Sequence, residues 1–177
     1  MKTCIAGIIA PFDTPYCREW IEYHSQLGID EFILTLNDFS EEQETQIRRL
    51  IDSIDGARVR LLKMDGQKMQ VPSYNQMLAI AYSIGADWCG FFDLDEFIKV
   101  RSTRKLKDIL SDFAQYPQLS FNWRIYGSNG IEKVDEVYDP DPLDITDRYS
   151  VLQRFTKCQA TLNIHVKQMI NLSWFRD

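Results

Sequence analysis

The stretch WCGFFDLDEFIKV, residues Trp88 to Val100, sets an apolar run directly against three carboxylates. Trp88, Cys89, Phe91 and Phe92 read as a strand buried on both faces, the pattern of a parallel sheet covered by helices. Asp93, Asp95 and Glu96 follow within four positions, and carboxylates beside a core need partners. Two questions follow: what sheet holds the strand, and what meets the acids.

Working outward, strand candidates begin near Thr3, Glu31, Val59 and Trp88, with helical segments between them. Pro15 to Leu27 carries Tyr16, Trp20, Tyr23 and Leu27 at helical spacing, and Gly28 supplies the stop. Ser40 with Gln43 resembles a capping box opening a helix to Ile54. Pro72 suits the first turn of a third helix ending near Ile84. This regular βα alternation predicts an α/β fold with a mostly parallel, Rossmann-like sheet flanked by helices. Beyond Ser102 it breaks down. One short helix (Leu106 to Phe113) and strands at Leu119 to Ile125, Tyr149 to Thr156 and Ile164 to Ile170 surround a loop from Tyr126 to Arg148, rich in Gly, Pro and Asp. A loop of that length is usually functional. The chain reads as one domain, 1–177, with a nucleotide-binding half over 1–100 and an acceptor half over 101–177.

The 177 residues, 45% hydrophobic and 12% aromatic, suffice for a core. A net charge of −6 argues against a general nucleic-acid binder. Cys4, Cys17, Cys89 and Cys158 form no CxxC pair and read as reduced core thiols rather than zinc ligands. The apolar stretch from Cys4 to Ala10 runs into Pro11 and Asp13, which suits a first strand better than a signal peptide. No run approaches a transmembrane length. The expectation is a cytoplasmic protein.

Ligands of open α/β sheets bind beyond the carboxyl ends of the strands. Here those ends lead to Asp13, to Asn37 and Asp38, to Asp65, and to Asp93 and Asp95. Asp is common in turns, so Asp13 or Asp65 alone means little, but the set points to a site. The first βα turn, APFDTPY, has no glycine, and neither GxGxxG nor GxxxxGK[ST] occurs. Bound phosphates would therefore need a cation. On an extended segment Asp93 and Asp95 share one face, about 6.6 Å apart at Cα, with Leu94 turned to the core. One or two carboxylates plus substrate phosphates is a common setting for a hard divalent ion, Mn2+ or Mg2+. The same alternation turns Glu96, the nearest candidate base, away from that face.

FFDLDEF, after a helix containing SYNQML and before FNWRIYGSNG, resembles the GT-A glycosyltransferases of the family 2-like group. The resemblance is to the subgroup with W-x-x-x-x-D-x-D-E-F and W-R-x-F-G-S segments, and REWIEYHSQLGIDEFILTLND is similar to its opening. The matches run from about Glu19 to Lys167. They imply a metal-dependent enzyme moving a sugar from a nucleotide diphosphate, commonly UDP, to a hydroxyl acceptor in glycan or polysaccharide synthesis, with inversion. Carried over, Asp93 and Asp95 match the metal pair, Asp95 being the more direct ligand, and the catalytic assignments are Asp95 and Glu96. Asp13, Asn37, Asp38, Tyr74, Asn75 and Asp93 fall in the nucleotide site. Trp123, Gly127 and Ser128 face sugar or acceptor. Two departures stand out. Pro11-Phe12-Asp13 replaces a Lys-Asn-Glu-like stretch, and relatives usually continue past the segment around His165 and Lys167, so truncation at the C-terminus is one expectation.

Other residues have two readings each. His24 suits helix packing or capping as well as catalysis, and His165 would complete the metal site only if its strand returns to that edge. Lys99, Arg101, Arg104, Lys105 and Lys107 suit a solvated face or an anionic acceptor. The rival to an enzyme is a non-catalytic nucleotide-sugar-binding module. A nucleotidyltransferase lacks its glycine-rich signature here, and a glycosidase places its carboxylates on opposite sides of the scissile bond.

Overall fold

In the computed structural model, which describes residues 1–127, 157–158 and 165–176, the predicted alternation is present. The elements run β1 (Thr3–Ile9), α1 (Thr14–Gln26), β2 (Glu31–Asn37), α2 (Glu41–Asp52), β3 (Val59–Met64), α3 (Gln70–Ser83) and β4 (Trp88–Phe91). After these come α4 (Leu106–Asp112), β5 (Gln118–Asn122), β6 (Tyr126–Gly127), β7 (Lys157–Cys158) and β8 (Val166–Asn171). The expected strand at Tyr149 to Thr156 and most of the Tyr126 to Arg148 loop lie outside the described residues.

One sheet has the order β3-β2-β1-β4-β8-β5. β1, β2, β3 and β4 are parallel, and β8 runs antiparallel to both β4 and β5. A short β6–β7 ladder stands apart. Strand periodicity splits the core in two. Ile5 and Ile9 of β1, with Phe32, Leu34 and Leu36 of β2, meet Trp20 and Ile21 of α1, Ile47 and Leu50 of α2, and Leu110 of α4. Cys4, Ala6, Ile33 and Cys89 meet Met77 and Ala81 of α3 on the other face. Each fully buried large side chain contributes about 1.5–3 kcal/mol, so both faces hold the sheet.

The local signals explain the element ends. The Ser40 hydroxyl accepts from the Gln43 N–H, and the Gln43 side chain accepts from the Ser40 N–H at 3.0 Å, completing the box. Gly28 stops α1 at φ 97°, left-handed space that favours glycine. Gly7 answers a different need. A Cβ there would stand 2.8 Å from the Phe92 carbonyl oxygen, a backbone atom one residue before the acids. Gly7→Ala is expected to cost about 1–3 kcal/mol, as overpacking does, and to shift the chain at Asp93. Denaturant melts and amide spectra of the variant check both, and an unchanged midpoint would show that the two strands can part freely.

Candidate active site

Strand order reverses between β1 and β4: the chain runs outward through β2 and β3, then returns to the other side of β1. Such a switch point opens a crevice beyond the carboxyl ends. Its two banks are Pro11–Asp13, a short 3-10 helix after β1, and the Asp93 to Glu96 segment after β4. The Asp13 carboxylate accepts the Ala10 N–H at 2.9 Å, tying the first bank to β1. Burial raises its pKa, and the charges of Asp95 and Asp93 raise it further against the lowering by that hydrogen bond. Asp13, Asp93 and Asp95 therefore share one electrostatic neighbourhood.

The acids do not continue the strand, as period-two reasoning expected. β4 ends at Phe91, and the Glu96 N–H donates to the Asp93 carbonyl at 3.0 Å, closing a turn. Leu94 is buried as expected. Glu96 is not turned away. Its side chain folds back, accepts the Asp93 N–H at 2.9 Å, and meets the Lys167 ammonium at 3.1 Å. Alternation fails here because a turn has no two-residue period. Burial raises the Glu96 pKa, opposed by the Asp93 N–H and Lys167. Lys167, on β8, also reaches the Asp93 carboxylate at 2.7 Å. Burial works against its charge, yet Asp93 and Glu96 hold its pKa above the usual lysine value. The Asp95 carboxylate is exposed and makes no hydrogen bond or ion pair among the described residues.

Helix α1 grips this turn from behind. The Trp20 indole N–H donates to the Glu96 carbonyl at 2.9 Å, and the Tyr23 hydroxyl to the Ile98 carbonyl at 2.9 Å. His24, fully buried, has Nδ1 2.8 Å from the Trp20 carbonyl, while the Ile98 N–H reaches its Nε2 at 3.2 Å. That pattern assigns the proton to Nδ1. Burial holds its pKa at about 4, so it is neutral. The W-x-x-Y-H spacing thus places three hydrogen-bonding groups on one face of a helix. His24 is structural, the packing reading of the two.

The Asn37 amide donates to the Met64 and Gly66 carbonyls, at 2.9 and 3.2 Å. Asp38, at φ 58°, accepts the Gly66 N–H at 2.7 Å. Both hold the β2 and β3 exits together. Tyr74 packs on Phe91 at 4.6 Å between centroids, and Asn75 is exposed one residue on. The Trp123 indole N–H is buried without an acceptor among the described residues. Its ring lies 5.2 Å from that of His165 and 5.7 Å from the Lys167 ammonium. Gly127 pairs with Lys157 in the small ladder, and Ser128 lies outside the described residues. His165 is exposed, and among the described residues no group of three His, Cys, Asp or Glu side chains is arranged to hold a metal ion. Of the basic cluster, Lys107 pairs with Asp30 and Arg104 with Asp112, each at 2.6 Å, while Lys99 and Arg101 are exposed. No helix among the described residues is long and apolar enough to cross a membrane.

Sequence reasoning missed Lys167 as a partner of the acids, and no local signal marks it. The face formed by Trp20, Tyr23 and His24 was readable from helical spacing, but its target was not.

The family model for glycosyltransferase family 92 matches residues 1–173. A glycosyltransferase family 92 protein of Oryza sativa subsp. japonica is 24% identical over 106 residues, 59% of this chain and 17% of that protein. One of Arabidopsis thaliana is 26% identical over 131 residues, covering 68% of this chain and 22% of that protein. The chain thus spans only a minor part of either relative. Among solved structures, HddC from Yersinia pseudotuberculosis superposes with a TM-score of 0.51 at 8% identity, covering 98% of this chain and 78% of that one, a likeness of fold. The match agrees with the expected resemblance at the level of a glycosyltransferase, with family 92 as the group matched.

Proposed function

This chain belongs to glycosyltransferase family 92, and on that premise we propose that it binds a nucleotide-diphosphate sugar, a UDP-sugar by preference, and transfers the sugar to a hydroxyl acceptor with inversion. The observation that carries the reading is that Asp93 and Asp95 bear on Asp13 as like charges at the switch point, with Asp95 unengaged. All the donors there are carboxylate oxygens, which fits Mn2+ or Mg2+ held by one or two carboxylates and completed by phosphate oxygens. The metal would be held by Asp95 and Asp93. When bound, it supplies Lewis-acid stabilisation of charge on the leaving diphosphate.

The remaining tasks fall to the chain. The Asp93–Glu96 turn, gripped by Trp20 and Tyr23, presents Asp95 without rearrangement. Asn37 and Asp38 hold the base and ribose side of the crevice, with Tyr74 and Asn75 as its flank. The unpartnered Trp123 N–H supports a sugar or acceptor contact, since a buried donor left unmade costs about 1–3 kcal/mol. Glu96 positions the turn through the Asp93 N–H.

Melting the protein with UDP, with Mn2+ and with both tests the reading. The pair at about a hundredfold over its dissociation constant is expected to add roughly 2.7 kcal/mol, and either alone less. An equal shift from UDP in EDTA removes the metal. Stabilisation without donor hydrolysis or transfer leaves a binding module.

A further inference from the structure

The acid cluster already holds a cation. The Lys167 ammonium bridges Asp93 and Glu96 at 2.7 and 3.1 Å, and only 18% of its side chain is exposed. The register of β8, Lys167 beside Phe121 of β5, fixes where the side chain starts, and the Trp123 ring bounds it at 5.7 Å. The ammonium has no comparable alternative in place: its ion pairs among the described residues are to these two acids. Asp95, two residues on, is left open to solvent.

We propose that Lys167 is a built-in counter-ion that gates the carboxylates, so that a divalent cation enters well only with an anionic ligand able to receive the released ammonium. The inference rests on the reading above, in which metal and nucleoside diphosphate share this crevice. A cation approaching Asp93 alone meets an ammonium less than 3 Å from one of its oxygens, and like charges at that range repel strongly. To bind there, it must break the Lys167–Asp93 pair, leaving a largely buried ammonium with Glu96 alone. A diphosphate changes the balance. It brings negative charge that Lys167 can contact as it leaves Asp93, so metal and nucleotide favour each other's binding. Glu96 stays on the Asp93 N–H throughout, keeping the turn closed.

The test compares wild type, Lys167→Met and Lys167→Arg by Mn2+ titration, read by the manganese paramagnetic resonance signal, with and without UDP. Folding of each is checked by circular dichroism and apo melting. Lys167→Met is expected to bind Mn2+ alone about tenfold tighter than wild type, an order of magnitude set by removing one adjacent unit charge. The enhancement of Mn2+ binding by UDP should shrink in the same variant. Lys167→Arg keeps the charge and should bind Mn2+ alone as weakly as wild type, which serves also if the methionine variant fails to fold. If UDP promotes Mn2+ binding in wild type but Lys167→Met binds Mn2+ no tighter, or Lys167→Arg binds it as the methionine variant was expected to, the gate is wrong and the function stands. If no protein binds Mn2+ even with UDP, both fall together.

Discussion

Asp95→Asn is expected to leave the metal-free protein as stable as wild type, or slightly more so, and to abolish the added stability from UDP with Mn2+. The side chain is exposed, makes no hydrogen bond or ion pair among the described residues, and bears on the half-buried Asp13 carboxyl as a like charge. Removing that charge leaves no cavity and relieves repulsion at Asp13. Removing a metal ligand forfeits the linked binding energy, roughly 2.7 kcal/mol at a hundredfold over the dissociation constant. A structural acid behaves the other way: losing a buried hydrogen-bonded partner typically costs about 1–3 kcal/mol and spares the ligand response. Melting the variant with and without the pair separates the two, and a destabilised variant that still answers to the pair would overturn the metal role.

The second large effect belongs to His24 and concerns pH. Its folded pKa, about 4, lies below the value of an unfolded histidine, because burial penalises the imidazolium and the ring is spent on the Trp20 carbonyl and the Ile98 N–H. The unfolded chain therefore binds the proton first as pH falls. The stability is complete above about pH 6.5 and is lost on descending to about 4, by about 3 kcal/mol over that window. Asp13 and Glu96, with raised pKa values, work in the opposite sense, so the total slope is smaller. The difference between wild type and His24→Gln isolates the histidine: the variant should be less stable at neutral pH and flatter in acid. Parallel slopes would mean that burial leaves the His24 pKa at its unfolded value. Because His24 anchors Ile98, two residues past Glu96, the same titration should loosen the DLDE turn before the sheet melts.

The scaffold was legible because its signals are local. Strand and helix periods, the Ser40–Gln43 box and the stop at Gly28 all act within a few residues. They suffice to place parallel strands, and with them the rule that Asp13 and Asp93 come to one edge. The Asp95 and Asp93 assignments followed from that edge and from the family resemblance. The tertiary structure decided the rest. Whether Phe92 continues the strand or begins a turn depends on its closeness to Gly7 and on the grip of Trp20 and Tyr23, 76 and 75 residues from their acceptors. Whether the acids stand alone depends on Lys167, 74 residues away on a strand that enters the sheet antiparallel, between β4 and β5. Such pairings leave no periodic trace, because neither partner's neighbours encode the strand order that joins them. Sequence determined where the negative charge gathers; only the assembled sheet determined which cation already answers it.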